Sequence, residues 1–459
     1  MSCPVRSLPV FILLAVLLSG CIPYRQIGPD AFPSDGNFSL QNGPVAWWQI
    51  FDDPALDRLM ERLFENNLDL MAAKSRIVQA EIARQKAGAP LSPSLDFGAD
   101  AKHYVGSFEN YNTVSASFRA GYEIDLWGRL DDLSEAAIYD ERQRSFDYQA
   151  MAVTLSATLV NEWYGFVYTV NYSTFLKRKI ALAKKGVELL RRRYFARQAK
   201  LSDLLLQESV LKQMESELTT LRYLEHGHRN AIAALLGEDG GKLSMERSAV
   251  LPYIETGRTP VVDSKCILKR PDIAAAIASL KALDRRAAAA VSAQYPRFSL
   301  AASAGQDNIL FNNLFELWYS SITASLAAPL FDGESRAADA RMALEKRKEQ
   351  LLRLKKLLID ASVETSNALK ALETGRINYL NLVEQLRIDE KKAACYRSGY
   401  LHGTEDFKRY LDAETALIST RQKVLRAKLD LITYSVALYR STASGWRPVR
   451  SIVPAGRKE

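Results

Sequence analysis

Two hydrophobic periods share this chain. Four segments alternate with period two. In 113–125, Val114, Ala116, Phe118, Ala120, Tyr122 and Ile124 alternate with Ser115, Ser117, Arg119, Gly121, Glu123 and Asp125. Before them, Leu95, Phe97, Ala99 and Ala101 share one face, and Asp96, Gly98, Asp100 and Lys102 the other. The second half repeats this with Phe298, Leu300, Ala302 and Ala304, then Ile322, Ala324, Leu326, Ala328 and Leu330. Such alternation predicts strands over 94–105, 113–125, 297–305 and 319–330. Each spans about ten residues, which suits a tilted membrane strand, although a half-buried soluble sheet alternates in the same way.

The second period is helical. No proline interrupts the chain between Pro93 and Pro252, or between Pro329 and Pro448. Helical patterning covers 129–197, 203–236, 334–396 and 406–439. At ~1.5 Å per residue the first helix of each pair would reach on the order of 100 Å. Leu411, Ile418, Leu425, Ile432 and Tyr439 recur every seventh residue. Leu351, Leu354, Leu358, Ala361, Ala368 and Leu372 form a similar seam, and Leu211, Met214, Leu218 and Leu221 another. Sustained heptads predict helices packed side by side as in coiled coils.

Strands and helices occur twice in the same order, about 206 residues apart. Ala89-Pro90-Leu91-Ser92-Pro93-Ser94-Leu95 is echoed by Tyr295-Pro296-Arg297-Phe298-Ser299-Leu300, and Leu126-Trp127-Gly128-Arg129 by Leu330-Phe331-Asp332-Gly333. A period this long is a duplicated half-molecule, not a solenoid repeat. We divide the chain into segment 1–20, an extended segment 21–53, a first repeat 54–240, a linker 241–264, a second repeat 265–446 and a tail 447–459.

The N-terminus carries an address. Arg6, an apolar run over 10–18 and Leu18-Ser19-Gly20-Cys21 form an export signal too short to span a bilayer. The tetrapeptide resembles a bacterial lipoprotein cleavage site, which would leave Cys21 as the acylated first residue. Ile22 follows it where inner-membrane retention is associated with Asp, so the expected destination is the outer membrane. Bilayers admit only helices or closed barrels, and no other stretch approaches the ~20 apolar residues of a membrane helix. Four strands cannot close a barrel. Two chains would give a bore filled by side chains, and three would leave a lumen.

Composition excludes some alternatives. The net charge is +8, but Lys177-Arg178-Lys179 and Arg191-Arg192-Arg193 lie in helical patterns that also carry acids, so they read as solvated faces and not as a nucleic-acid patch. Four histidines are too few and scattered for an active site. His226 and His228, two apart on a helix, do not share a face. Gly240-Gly241-Lys242 lacks the flanking residues of a phosphate loop. Cys266 and Cys395 show no disulfide or metal spacing. We expect no catalytic residue, cofactor or metal, and no enzyme.

From Cys21 to Trp446 the chain resembles the TolC-like outer membrane efflux proteins, in their lipoprotein branch serving resistance-nodulation-division pumps. The resemblance rests on Trp47-Trp48-Gln49-Ile50-Phe51-Asp52-Asp53-Pro54, Asn66-Asn67-Leu68-Asp69-Leu70, Tyr122-Glu123-Ile124-Asp125-Leu126-Trp127-Gly128-Arg129, Lys269-Arg270-Pro271-Asp272-Ile273 and Gly445-Trp446, in that order. It implies an α+β homotrimeric channel, with four membrane β-strands per protomer in a 12-stranded barrel above a long helical periplasmic α-barrel. Such a lipid-anchored conduit would export small molecules received from a periplasmic adaptor and an inner-membrane pump. A type I protein-secretion conduit and a pore-less periplasmic coiled-coil lipoprotein are the alternatives.

In this family the turns between long helices form the closed tip. Matching Tyr194 to Tyr396 and Glu208 to Glu414 implies a four-residue insertion in the second turn. The gate candidates carried over by motif are Lys408, Asp412, Asp203 and Arg197. Asp412 takes the position of an acidic constriction residue, Lys408 that of an apolar ring residue, and Arg197 that of a glycine. Lys408 would compensate Asp412 through an i,i+4 contact or across subunits.

Overall fold

A computed structural model describes residues 47–105, 110–240, 245, 250–252, 264–308 and 318–442. Cys21, the signal segment, the end of the linker's glycine run and Gly445-Trp446 lie outside them. After a 3₁₀ turn, Trp47–Phe51, come α1 (Pro54–Asn66), α2 (Leu68–Gly88), β1 (Ser94–Val105), β2 (Asn110–Ile124), α3 (Arg129–Phe195) and α4 (Leu201–Leu235). The second half runs α5 (Ser264–Leu268), α6 (Pro271–Ser292), β3 (Arg297–Asn308), β4 (Trp318–Ala327), α7 (Ser335–Leu401) and α8 (Phe407–Thr442). The described residues divide into two compact units: one lies within Gln79–Arg142 and Ile277–Leu352, the other within 47–78, Gln143–Ala276 and 353–442.

In the first unit the strands form one antiparallel sheet in the order β1-β2-β3-β4. Its register sorts the alternating residues. Phe97 pairs with Phe118, Ala101 with Val114, Tyr122 with Leu300, and Leu300 with Ala324, so one face is mainly apolar, interrupted by His103 opposite Asn112, Gln306 opposite Ala116 and Ser320 opposite Ala304. On the other face Asp96 opposes Arg119, Ser299 lies 2.7 Å from Ser325, and Ser303 2.8 Å from Ser321. The apolar face is open: Phe97 is 63% exposed and Ile322 87%. β4 ends at Ala327, three residues before its alternation runs out, because Pro329 has no N–H for a ladder.

Ion pairs tie this unit's helices together. Arg84 of α2 meets Glu141 of α3 at 2.9 Å. Arg285 of α6 reaches Asp132 at 3.1 Å and Glu135 at 2.6 Å on α3, and Arg286 pairs with Asp140. Arg347 of α7 meets Asp284 at 3.0 Å. Below β2, Trp127 Nε1 donates to the Pro296 carbonyl at 2.7 Å and its ring lies 5.0 Å from Tyr295.

The second unit holds the main core. The aromatic N-terminal motif is its plug: Trp47, Trp48 and Phe51 pack with Leu56, Leu63, Trp163, Tyr164, Ile232 and Ile432. Asp53 caps α1 by accepting from the N–H groups of Ala55 and Leu56, and its carboxylate also accepts from Trp163 Nε1 at 2.7 Å. One carboxylate thus satisfies helix donors and fixes the plug. Leu56, Leu59, Met60 and Leu63 give α1 one buried face at 3–4 residue spacing. In α8 the heptad seam Leu411, Ile418, Leu425, Ile432 is buried, while Ala368 and Leu372 of α7 pack on Leu431 and Leu438.

Candidate functional site: two helical turns

The two long helices α3 and α7 each have 67 residues, and the turns after them, 196–200 and 402–406, match in length. Their last turns close identically. Gln198 N–H donates to the Arg193 carbonyl at 2.8 Å and Arg197 N–H to Tyr194 at 2.9 Å. In the second copy Thr404 N–H donates to Gly399 at 2.8 Å and Gly403 N–H to Tyr400 at 3.1 Å. Both are Schellman closures, with Arg197 at φ +56° and Gly403 at φ +75° in the left-handed position.

This corrects the expected insertion. The equivalent of Tyr194 is Tyr400, and the equivalent of Arg197 is Gly403, at one constant offset. Helical seams repeat nearly every turn, so a slip of one turn to Tyr396 preserves the hydrophobic pattern and escapes sequence matching. In the corrected register Asp203 aligns with Arg409, and Asp412 with Leu206.

Lys408, Asp412, Asp203 and Arg197 are all exposed. The structure does not bring them together: among the described residues Lys408, Asp412 and Arg197 form no ion pair. What joins the two turns is a pair the sequence reading missed. Arg193 Nη2 lies 2.8 Å from Asp406 Oδ1, and Nη1 3.4 Å from Oδ2. The Arg193 fork, followed by N–H donors of Phe407 and Lys408, holds the Asp406 carboxyl below its ordinary range. Asp406 immediately precedes α8, a position where Asp is a good cap, and that was the available sequence signal. Higher up, a Cβ on Gly186 would stand 2.5 Å from Leu411 Cδ2, so α3 and α8 touch closely there. Tyr400, Phe407 and Tyr410 stack beside the second turn, with Tyr400 and Tyr410 rings 5.6 Å apart.

A cleft of about 210 Å³ lies among Ala150, Val153, Arg270, Asp272, Glu364 and Arg440. It offers no ligand site because its charges satisfy one another. Arg270, 8% exposed, donates to Asp272, to Glu364 at 2.8 Å and to the Ser441 carbonyl at 3.1 Å. Glu364 accepts also from Arg440 at 2.8 Å. Burial opposes the Glu364 charge, but these two guanidinium hydrogen bonds prevail and lower its pKa. The sequence singled out Lys269-Arg270-Pro271-Asp272 as a motif without this role. His228 pairs with Glu162 at 2.8 Å, and His226 with Asn230 at 3.0 Å. Among the described residues no group of His, Cys, Asp and Glu is placed to hold a metal. Cys266 is half-buried and Cys395 exposed, both unpaired.

An open apolar sheet face and paired helices far longer than a globular core requires define an outer-membrane channel component. The chain belongs to the outer membrane efflux protein family, whose model matches residues 59–238 and 264–444. It is 28% identical to the pyoverdine export outer membrane protein OpmQ of Pseudomonas putida, over 87% of this chain and 88% of that one. It is 27% identical to the toluene efflux pump outer membrane protein TtgI of Pseudomonas putida, covering 96% and 98%. The cation efflux system protein CusC of Escherichia coli is 23% identical, covering 96% and 100%. Among solved structures, the outer-membrane channel OprN superposes with a TM-score of 0.81 at 25% identity, over 92% of this chain and all of that one. The open-state MtrE channel of Neisseria gonorrhoeae gives 0.79 at 22%, over 93% and 98%, which speaks for the fold. The protein is therefore a TolC-like outer membrane efflux channel component, a passive conduit and not an enzyme.

Proposed function

We propose that three copies form one channel, which passes small molecules outward from a periplasmic adaptor and an inner-membrane pump. The observation that carries this reading is the sheet: four strands, an exposed apolar face, and outer edges on β1 and β4 that pair with no other strand among the described residues. An open edge in lipid leaves backbone groups unsatisfied, so the sheet needs neighbours. Three copies supply twelve strands and a water-filled bore. The exposed Ile359, Val363, Ile377 and Leu380 of α7 are apolar surface for a second copy to cover.

The two repeats, 54–240 and 265–446, each contribute one strand pair and one long helical hairpin. Cys21 carries the lipid anchor after removal of 1–20. The turns form the periplasmic gate, where Asp203, Lys408, Asp412 and Arg197 face other copies across the threefold axis. The relatives named above carry pyoverdine, toluene or cations, so the fold does not select among cargoes; the pump does.

Planar-bilayer recordings on the purified protein, with heat-modifiable migration on gels, test the reading. Trimers and a conductance that opens in steps are expected. Monomers without conductance would overturn it.

A further inference from the structure

Both repeats close on the same joint. Asn67 stands immediately before α2, and Arg270 immediately before α6. The backbone carbonyl of each opens its helix: Met71 N–H donates to Asn67 O and Ala274 N–H to Arg270 O, both at 3.0 Å. The side chain of each captures a carbonyl at the end of another helix. Asn67 Nδ2 donates to the Leu235 carbonyl of α4 at 2.7 Å, and Arg270 Nη1 to the Ser441 carbonyl of α8 at 3.1 Å. Leu235 and Ser441 stand one repeat length apart.

The last carbonyls of a helix have no donor of their own and carry the negative end of its dipole, so a side-chain donor there is well placed. The two repeats divide the work differently. Asn67, 3% exposed, does two tasks, because its Oδ1 also caps α2 by accepting from Leu70 N–H at 2.9 Å. In the second repeat Asp272 takes over at the helix start, accepting from Ile273 N–H at 2.9 Å, and Arg270 is left to hold Ser441. Thr365 Oγ1 also approaches the Ser441 carbonyl at 3.4 Å, but its nearer acceptor is Ala361, at 2.9 Å. At the first joint the backbones press together: a Cβ on Gly237 would lie 2.7 Å from the Asn66 carbonyl.

We infer that Asn67 and Arg270 are equivalent positioning residues, one per repeat, which splice α4 to α2 and α8 to α6. α4 and α8 each begin at a turn, and α2 and α6 each lead into a strand, β1 and β3. Each splice therefore makes a helix that starts at the gate and a helix that runs to the barrel move together, although the bonded residues lie 168 and 171 positions apart. The inference rests on the channel reading above and names the residues that brace its closed state. With a splice broken, the turn-bearing helix shifts without its partner, and closure at the turns is held less firmly.

The test uses the full-length protein and two variants chosen to keep the fold. Asn67→Ser retains an oxygen that can cap α2 and removes the amide donor. Arg270→Met with Glu364→Leu removes a buried ion pair as a unit, a replacement that is often neutral, and leaves Ser441 without its guanidinium. Amide exchange followed by mass spectrometry reads the helix ends, and planar bilayers read the openings. Asn67→Ser should speed exchange severalfold over 232–238 and leave 438–442 as in the wild type; the double variant should do the reverse. Both should raise the frequency of spontaneous openings severalfold. Leu159→Ala, a cavity in the same core that leaves both side-chain donors in place, should lower the melting temperature without adding openings. Unchanged exchange at the spliced end, an equal rise at both ends, unchanged openings in a conducting protein, or openings as frequent with Leu159→Ala would overturn the splices. A wild type with no conductance at all sinks the channel, and the exchange pattern then decides the splices alone.

Discussion

Arg193 and Asp406, 213 residues apart in sequence, close a forked ion pair between the end of α3 and the start of α8. The pair is exposed, so its contribution to stability is only about 0.2–1 kcal/mol. Its leverage is positional, since it links the two hairpins at their turns. Asp406→Asn keeps a good cap for α8 and removes the charge. We expect this variant and Arg193→Ala each to raise single-trimer conductance severalfold, and the double variant to add little. Unchanged conductance in both would show that the pair is surface decoration. The pH dependence follows from the lowered Asp406 pKa. The bridge is fully present above the unfolded Asp value of about 3.9 and is lost as pH falls through the lower folded value. Conductance should therefore not vary through this pair between pH 5 and 8, and should rise only in stronger acid.

The turn residues provide a stability test. Gly403→Ala puts a Cβ into a left-handed position and should cost about 1–2 kcal/mol. Arg197→Gly removes that strain but frees the unfolded backbone, so a gain of no more than about 1 kcal/mol is expected. Urea unfolding of the helical signal would report both. Equal, near-zero effects would mean that the turns relax on substitution.

Period and order made most of the fold legible. Four alternating runs and four proline-free helical runs, three of them with heptad seams and all repeated in order, specify the strands and long helices because each period serves one kind of burial. The turn register was not legible. Tyr396 and Tyr400 are one helical turn apart, and the seam tolerates either alignment, so only the backbone closure at Gly403 decides. Nor was the Arg193–Asp406 pair, because a basic triplet on a helix reads as solvated until its partner is located. The motif Lys269-Arg270-Pro271-Asp272 was visible, but its task was not: the Ser441 carbonyl it holds lies 171 residues away.

Arg270 is the buried charge with most to lose. Arg270→Met leaves Asp272 and Glu364 without their shared guanidinium and the Ser441 carbonyl without a donor. Removing one partner of a buried ionic group costs about 3–5 kcal/mol. Arg440→Met, at the exposed side of the same network, should cost under about 1 kcal/mol. Thermal unfolding of the two variants checks the ranking, and equal losses would mean that burial does not govern this network.

The N-terminal expectation is settled by intact mass. Mature protein should begin at Cys21 and carry acyl chains. Cys21→Ser should still insert, because a closed barrel holds more firmly than lipid chains do. A chain that keeps 1–20, or has an unmodified Cys21, would refute lipidation.

The two faces of β2 should differ in their tolerance of charge. Phe118 lies on the apolar face, paired with Phe97 and Ala304. A lysine there, facing lipid near the midplane, costs roughly 2–4 kcal/mol per chain, and a trimer bears it three times. Ser115, on the polar face, donates to Asp100 at 2.7 Å, and Ser115→Lys would meet that carboxylate in water. Ser117 shares that face by alternation but is only 6% exposed, and a Cβ on its neighbour Gly305 would lie 2.7 Å from Ser117 Cβ. Ser117→Lys should therefore fail for lack of space and not because of lipid, and Ser117→Ala should be harmless. The expected order of heat-modifiable trimer yield is wild type and Ser117→Ala, then Ser115→Lys, with Phe118→Lys and Ser117→Lys lowest. If Phe118→Lys assembled as well as Ser115→Lys, the apolar face would not be facing lipid, and the barrel would have to be abandoned.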